Sequence, residues 1–165
     1  DNFLFSSTIA DNIAFFDPKN TERAEIEEAA KITEVYDNIM EFPEEFDTIL
    51  GERGVTLSGG QKQRISMARA IIKDPKLLIL DDSFSSVDTH TEEQILNNLK
   101  PVMQDRTVIL ISHRISTIKN ADIIFVLDEG EILERGTHQE LIENEKLYFD
   151  IYQKQQLEEK IDNIN

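Results

Sequence analysis

Residues 57–88 have the sequence LSGGQKQRISMARAIIKDPKLLILDDSFSSVD, and the rest of the chain is organised around them. A Ser-Gly-Gly turn opens an amphipathic helix, predicted from Ser58 to Lys73, and the apolar strand that follows ends in Asp81 and Asp82. Helix N-termini bind anions because their free N–H groups point outward along the dipole. A carboxylate at the carboxyl end of a buried strand is a common ligand of divalent cations. The stretch therefore predicts a phosphate cradle and a magnesium carboxylate.

Apolar runs and helical segments alternate after this stretch. Continuous apolar runs predict strands buried on both faces, as in a parallel α/β sheet. Ligands bind at the carboxyl ends of such strands, where the sequence has Asp81 and Asp82, then Ser112 and His113, then Asp128. Asp128 also begins the turn of a predicted hairpin. The predicted strands are 77–80, 108–111 and 123–127, and the predicted crossover helices are 89–103 and 114–120.

Capping residues predict where the helices begin. Ser, Thr, Asp and Asn accept a hydrogen bond from the first turn of a helix, and a Glu three residues later completes a capping box. One uninterrupted helical pattern is predicted over 20–40. The predicted caps are Ser7, Asn20 or Thr21, Ser58, Thr89 with Glu92, and Thr137 with Glu140.

Composition excludes several classes of function. The 165 residues suit one domain, and no apolar run approaches the roughly 20 residues that span a bilayer. Nothing at the N-terminus resembles a signal peptide, and the absence of cysteine excludes disulfides and fits a cytosolic protein. A formal net charge of −16 argues against nonspecific binding to nucleic acid or anionic lipid.

Four motifs resemble those of the nucleotide-binding domain of exporter-type ATP-binding cassette (ABC) transporters. Residues 57–61, LSGGQ, match the family signature, and residues 77–81, LLILD, resemble the Walker B strand. Residues 86–88 stand where the family has its D-loop, and His113 stands where it has the switch histidine. The motifs occur in the family's order and spacing, and the resemblance covers nearly the whole chain.

The resemblance implies a P-loop NTPase-like (RecA-like) α/β fold with a partial parallel sheet and an α-helical signature subdomain. It implies a helical subdomain at 1–56, the signature helix with the C-terminal half of the core at 57–145, and a helical tail at 146–165. Glu52 would contact the transmembrane domain, unless it is an ordinary loop carboxylate. Residues 3–5 are either core or a contact with the coupling helices of that domain.

The family's chemistry is Mg²⁺-dependent ATP hydrolysis between two head-to-tail cassettes. One cassette would present its signature, Ser58, Gly59, Gly60 and Gln61, to the γ-phosphate held by the other, and Asp88 of the D-loop would lie at the same nucleotide. The resemblance places this assembly at the cytoplasmic face of the cell membrane and implies no nucleic-acid partner.

The second half of each site would carry the catalytic groups. The resemblance implies that Asp81 holds Mg²⁺ through water, that Asp82 orients or deprotonates the attacking water, and that His113 contacts the γ-phosphate. The family usually has glutamate where this chain has Asp82, which is shorter by one carbon–carbon bond, roughly 1.5 Å. A general base must reach about 2.6–3.2 Å from its water. The shorter side chain predicts a weaker base. The resemblance implies a heterodimer with a non-identical cassette, because exporters of the family with this substitution tend to be heterodimers with one weakly hydrolytic site.

The family's P-loop is not found in these residues, which contain no Gly-x-x-x-x-Gly-Lys-Ser/Thr. The Q-loop glutamine would likewise lie before Asp1. We therefore expect a carboxyl-terminal fragment of a cassette that is inactive alone and hydrolyses ATP only within the full-length transporter.

Two other classes of function stay open. A soluble ABC-family ATPase without a membrane domain usually has an Asn-His-Leu-Asp-like D-loop, in contrast to the Ser-Ser-Val-Asp at 85–88. A non-catalytic truncated cassette would act as an interaction module. An upstream P-loop and membrane helices in the encoding reading frame would exclude both.

Overall fold

The computed structural model describes residues 3–51 and 56–162, and the chain forms two compact units. The first unit is Asp1–Leu110 and the second is Ile111–Asn165. The boundaries predicted at 56/57 and 145/146 stay predictions. No helix in the described part of the chain is both long and apolar enough to cross a membrane.

The first unit places short helices around a β–α–β motif. Strands β1 and β2 pair in a two-stranded sheet, and α5 connects them, as expected for neighbouring parallel strands. The elements are α1 (Ile9–Ile13), α2 (Arg23–Ile32), α3 (Tyr36–Met40), a 3₁₀ helix (Glu45–Asp47), α4 (Gly59–Ile71), β1 (Leu77–Asp81), α5 (Thr89–Met103) and β2 (Thr107–Ile111).

The helix α4 begins where the sequence predicts. Ser58 is its N-cap, and Ser58 Oγ accepts a hydrogen bond from the Gln61 N–H at 3.2 Å. Gln61 Oε1 accepts in return from the Ser58 N–H at 2.9 Å, which completes a capping box. The helix ends at Ile71, two residues before the predicted end, and Asp74 has left-handed backbone (φ 48°) before Pro75.

The helical pattern over 20–40 is not one helix. The segment after α2 forms a Schellman motif, in which Glu34 has left-handed backbone (φ 54°) and the Val35 N–H donates to Ala30 O at 3.0 Å. The chain then turns into α3. Both helices pack on the same core, so the apolar spacing continues through the break. The sequence pattern therefore gives no sign of the break.

Three predicted N-caps are wrong by one or two residues. Each segment has several neighbouring residues whose side chains can cap a helix. The backbone conformation determines which side-chain oxygen can accept from the N–H three residues later. The N-caps of α1, α2 and α5 are Thr8, Glu22 and Asp88, in place of Ser7, Asn20 or Thr21, and Thr89.

The sheet of the first unit is covered on one face only, contrary to the prediction of burial on both. Leu78 and Leu80 are 3% exposed and lie in the same core cluster as residues of α4 and α5. Leu77 and Ile79, which point the other way, are 50% and 54% exposed. Exposure therefore alternates along β1, although its apolar run predicts burial on both faces.

The second unit is built on a β-hairpin and helices. Strand β3 (Ile124–Asp128) pairs antiparallel with β4 (Glu131–Gly136) through the predicted turn, where Glu129 and Gly130 both have positive φ (48° and 84°). Asp128 therefore ends a hairpin strand, which corrects its placement with the parallel strands. The helices are α6 (Ile115–Ile118), α7 (His138–Glu143), capped by Thr137 and Glu140 as predicted, and α8 (Leu147–Asp162).

The alternation in β1 gives a matched pair of substitutions. Leu80→Ala should lower the free energy of unfolding by about 2–5 kcal/mol, because it opens a cavity in the core. Leu77→Ala removes the same atoms from a half-exposed position, so it should cost less than about half as much. Urea denaturation of both variants measures the difference. Equal losses would mean that both faces of β1 are covered in solution.

The cap of α5 predicts a pH-dependent stability. Asp88 Oδ1 accepts from the Thr91 N–H at 3.0 Å, and this backbone hydrogen bond holds the pKa of Asp88 below its usual range. A depressed folded pKa stabilises the fold above the unfolded pKa of about 3.9, and the contribution is lost as pH falls through the folded pKa. Asp88→Ala should cost about 1 kcal/mol at neutral pH, with a smaller difference in acid.

Asp88→Asn is the control for this prediction, because its amide oxygen keeps the cap without the charge. Denaturation curves at decreasing pH compare the three proteins. A difference between wild type and Asp88→Ala that does not change with pH would contradict the assignment.

Candidate functional site

The first turn of α4 lies directly against the segment that follows β1. We call residues 58–61 the signature turn and residues 82–88 the 82–88 turn. A Cβ built on Gly60 would lie 2.7 Å from the Ser86 carbonyl oxygen, and one on Gly59 would lie 3.3 Å from the Ser86 side chain. The sequence predicted these glycines from a phosphate that approaches the backbone. The structure gives a second reason, because the 82–88 turn occupies the space of a side chain at Gly60.

A buried glutamine joins the two turns. Gln63 Nε2 donates to the Asp82 carbonyl at 3.2 Å and to Ser85 Oγ at 2.7 Å, and Gln63 Oε1 accepts from the Ser86 N–H at 2.8 Å. Gln63 is polar, yet it is only 3% exposed. The helical pattern concealed it because amphipathicity counts apolar residues, and a glutamine with satisfied hydrogen bonds is buried at little cost.

The two predicted carboxylates stand together at the end of β1. Asp81 is the last residue of the strand, and both Asp81 and Asp82 are exposed. Asp82 has left-handed backbone (φ 44°), a conformation that aspartate adopts more readily than most residues. Its carbonyl also accepts from the Ser85 N–H at 3.2 Å. The backbone that presents Asp82 is thus fixed by a turn and by Gln63.

A half-buried arginine also supports the signature turn. Arg64 donates to Gly60 O at 3.3 Å, to Asn38 Oδ1 at 2.9 Å and to the Glu34 carbonyl. Burial lowers the pKa of Arg64, and the charges of Asp88 and Glu34 act in the opposite direction. Arg64 thereby anchors α4 to the break between α2 and α3.

His113 lies in the second unit, where the backbone around it is held by α8. Gln155 Nε2 donates to the His113 carbonyl at 2.7 Å, and Gln155 Oε1 accepts from the Ile115 N–H at 2.9 Å. Ser112 Oγ accepts from the Arg114 N–H at 3.0 Å. The His113 side chain is exposed. The other predicted site residues (Ser58, Gly59, Gly60, Gln61, Asp81, Asp82 and Asp88) belong to the first unit.

Residues 3–5, predicted to be either core or a contact with coupling helices, differ from one another in burial. Leu4 packs against the core, whereas Phe3 is 62% exposed. Phe5 stacks on Phe15 with ring centroids 4.4 Å apart, and Arg69 of α4 lies over both rings. Glu52, predicted to contact a transmembrane domain, lies outside the described residues.

The geometry suits a phosphate ligand with a hard cation. Free N–H groups at the N-terminus of a helix bind anions, and Mg²⁺ takes one or two carboxylates together with substrate phosphates and water. In the described part of the chain no three His, Asp or Glu side chains are grouped closely enough to hold a metal. That is compatible with Asp81 as a single carboxylate beside a nucleotide's phosphates, and a Mg²⁺–nucleotide fits the residues present.

Known proteins resemble the chain over nearly its whole length. It is 49% identical to the multidrug resistance-like ATP-binding protein MdlA of Escherichia coli over 160 aligned residues. The alignment covers 97% of this chain and 27% of MdlA. It is 47% identical to the ATP-dependent lipid A-core flippase of Photobacterium profundum, over 90% of this chain and 26% of the flippase. The structure of a bacterial Atm1-family ABC exporter with ATP bound matches with a TM-score of 0.86 and 43% identity, over 92% of this chain and 27% of the exporter.

The chain thus spans about a quarter of the length of these relatives. The family model described as ABC transporter matches residues 1–85, which include the signature turn, Gln63 and both carboxylates. Fold, motif order and relatives agree, and the chain belongs to the ABC transporter family.

Proposed function

We propose that this chain is part of the ATP-hydrolysing cassette of an exporter-type ABC transporter. The observation that carries the proposal is the packing of the signature turn against the 82–88 turn, which presents an anion-binding helix end and two carboxylates in one unit. Mg²⁺-dependent ATP hydrolysis would be coupled to substrate export by a transmembrane domain at the cytoplasmic face of the cell membrane. The 165 residues alone would not hydrolyse ATP, because the P-loop supplies most phosphate contacts in such sites.

The chain's residues would act at two nucleotides shared with a second cassette. Ser58, Gly59, Gly60 and Gln61 would donate hydrogen bonds to the γ-phosphate held by the partner, with Asp88 at the same nucleotide. Catalysis in this class is charge stabilisation and positioning rather than covalent chemistry. The signature turn suits that task because its capping box fixes the first-turn backbone before any ligand arrives.

The other nucleotide would meet this chain's carboxylates. Asp81 would hold Mg²⁺ through water, and the bound ion would neutralise charge on the β- and γ-phosphates. Asp82 would orient the attacking water or accept its proton, and His113 would contact the γ-phosphate. The exposed side chains of all three are compatible with these roles.

Asp82 supports a further proposal about the partner. A general base contributes typically 10²–10⁴-fold when correctly placed, and aspartate withdraws the carboxylate by roughly 1.5 Å relative to glutamate. A weak base beside an intact signature suits an asymmetric transporter, in which a non-identical cassette supplies a glutamate opposite Ser58. The transmembrane contact proposed for Glu52 and the exposed Phe3 belongs to the same assembly.

The proposal is tested at Ser58 in the assembled transporter. Ser58→Asp keeps an N-cap and hence α4, but places a negative charge where the γ-phosphate would bind. Mg²⁺-dependent phosphate release should be abolished at that site. Ser58→Asn is the matched control, since it caps the helix without a charge, and its turnover should fall much less. Thermal unfolding checks that both variants fold, and equal turnover in both would exclude the phosphate-binding role.

Asymmetry is tested by removing one base at a time. If the transporter is a heterodimer, Asp82→Ala should lower total turnover only modestly, whereas replacing the partner's glutamate should stop it. In a homodimer, Asp82→Ala removes both bases and should reduce turnover by about 10²–10⁴-fold. A loss of that size, with no second kind of subunit co-purifying, would overturn the heterodimer.

A further inference from the structure

We propose that Gln63 is a positioning residue, which holds the 82–88 turn against α4 and so fixes the backbone that presents Asp82. The inference rests on the proposed function and deepens it, because it concerns the backbone that presents Asp82. Gln63 itself would touch neither nucleotide nor metal. Its chemistry is limited to the two ends of its amide, both of which are turned towards the 82–88 turn.

The first argument is the completeness of its hydrogen bonding. The amide donates to the Asp82 carbonyl and Ser85 Oγ and accepts from the Ser86 N–H, so one buried side chain contacts three residues of a turn about 20 positions away in sequence. A primary amide can donate and accept at once, which a carboxylate or an ammonium group cannot do. Glutamine is therefore specifically suited to this position.

The second argument is the backbone of Asp82. Its left-handed φ of 44° is a sparsely populated conformation, which persists where surrounding groups over-determine it. The Asp82 carbonyl accepts from the Ser85 N–H within the turn and from Gln63 Nε2 outside it. The bond from Gln63 ties this carbonyl to α4.

The third argument is independent of hydrogen bonding. A Cβ on residue 60 would lie 2.7 Å from the Ser86 carbonyl oxygen, so the signature turn and the 82–88 turn are in close contact. Contact at Gly60 sets how near the turn can come, and the bonds of Gln63 keep it from moving away. The two together oppose movement of the turn in either direction, and displacement of a catalytic group by about 1 Å can cost about 10²-fold in rate.

The structural test uses amide hydrogen exchange, read by NMR on the 165-residue chain. In Gln63→Ala the Ser86 N–H loses its acceptor and should exchange at least about tenfold faster, as should its neighbours in the turn. Gln63→Glu keeps an oxygen for the Ser86 N–H but has no donor for the Asp82 carbonyl. Its Ser86 amide should stay protected while the backbone chemical shifts of Asp82 move. Gln94→Ala and Gln94→Glu, at an exposed glutamine of α5, are the matched controls and should change neither.

The functional test uses Mg²⁺-dependent ATP turnover by the assembled transporter. Both Gln63 variants should lower kcat in the same direction as Asp82→Ala and by no more than that variant does, because they act through the position of Asp82. The KM for ATP should be unchanged, because Gln63 does not contact the nucleotide. The Gln94 variants should have wild-type kcat and KM.

The possible outcomes separate this inference from the proposed function. Unchanged exchange in Gln63→Ala, unchanged Asp82 shifts in Gln63→Glu, or wild-type kcat in Gln63→Glu overturns the positioning role. A wild-type assembly without any turnover would refute the proposed function, while the exchange experiment would still decide whether Gln63 fixes the turn.

Discussion

The contact between Gly60 and the Ser86 carbonyl is the constraint on which the rest of the site depends. The Cβ of any other residue at position 60 would lie 2.7 Å from a backbone oxygen, which cannot move without its turn. Because α4 is packed by its buried residues Ile65 and Ala68 and anchored by Arg64, the helix cannot retreat either. The first turn of α4 and the 82–88 turn are therefore at a fixed separation. The same packing positions the N–H groups of that helix turn and the carboxylate of Asp82.

Burial of Gln63 is energetically tolerable only because its amide is fully paired. A buried amide without partners costs about 1–3 kcal/mol, whereas each hydrogen bond it makes contributes a net of only about 0.5–1.5 kcal/mol. An apolar residue of similar volume would avoid the cost of burying an amide. It would leave the Ser86 N–H and the Asp82 carbonyl without their side-chain partner, and nothing would select one arrangement of the 82–88 turn over its neighbours. Gln63 accordingly contributes specificity of conformation more than stability.

Sequence patterns predicted the local features of this fold better than the tertiary ones. The N-cap at Ser58, the bounds of α5 and the Glu129-Gly130 hairpin turn each depend on a few adjacent residues, and all three are found. The break at Glu34 and the exposed face of β1 were missed because they depend on what packs against those segments. At the site, the motif order predicts roles for Asp81, Asp82 and the signature turn. It assigned Gly60 to a ligand alone, because the position of Ser86 is a tertiary fact that spacing along the chain does not contain.

The same physical problem arises in the second unit and has the same solution. A loop that exposes its side chains to a ligand cannot also use them to pack against the core. Its backbone N–H and C=O groups follow the end of a strand, so the sheet does not provide their hydrogen bonds. Gln155 meets this need around His113 by donating to one backbone group and accepting from another, as Gln63 does for the 82–88 turn. Each glutamine is on a helix and acts on the backbone rather than on the exposed side chain. The two amides thus fix the backbone at Asp82 and at His113, and the roles proposed for those side chains rest on that backbone.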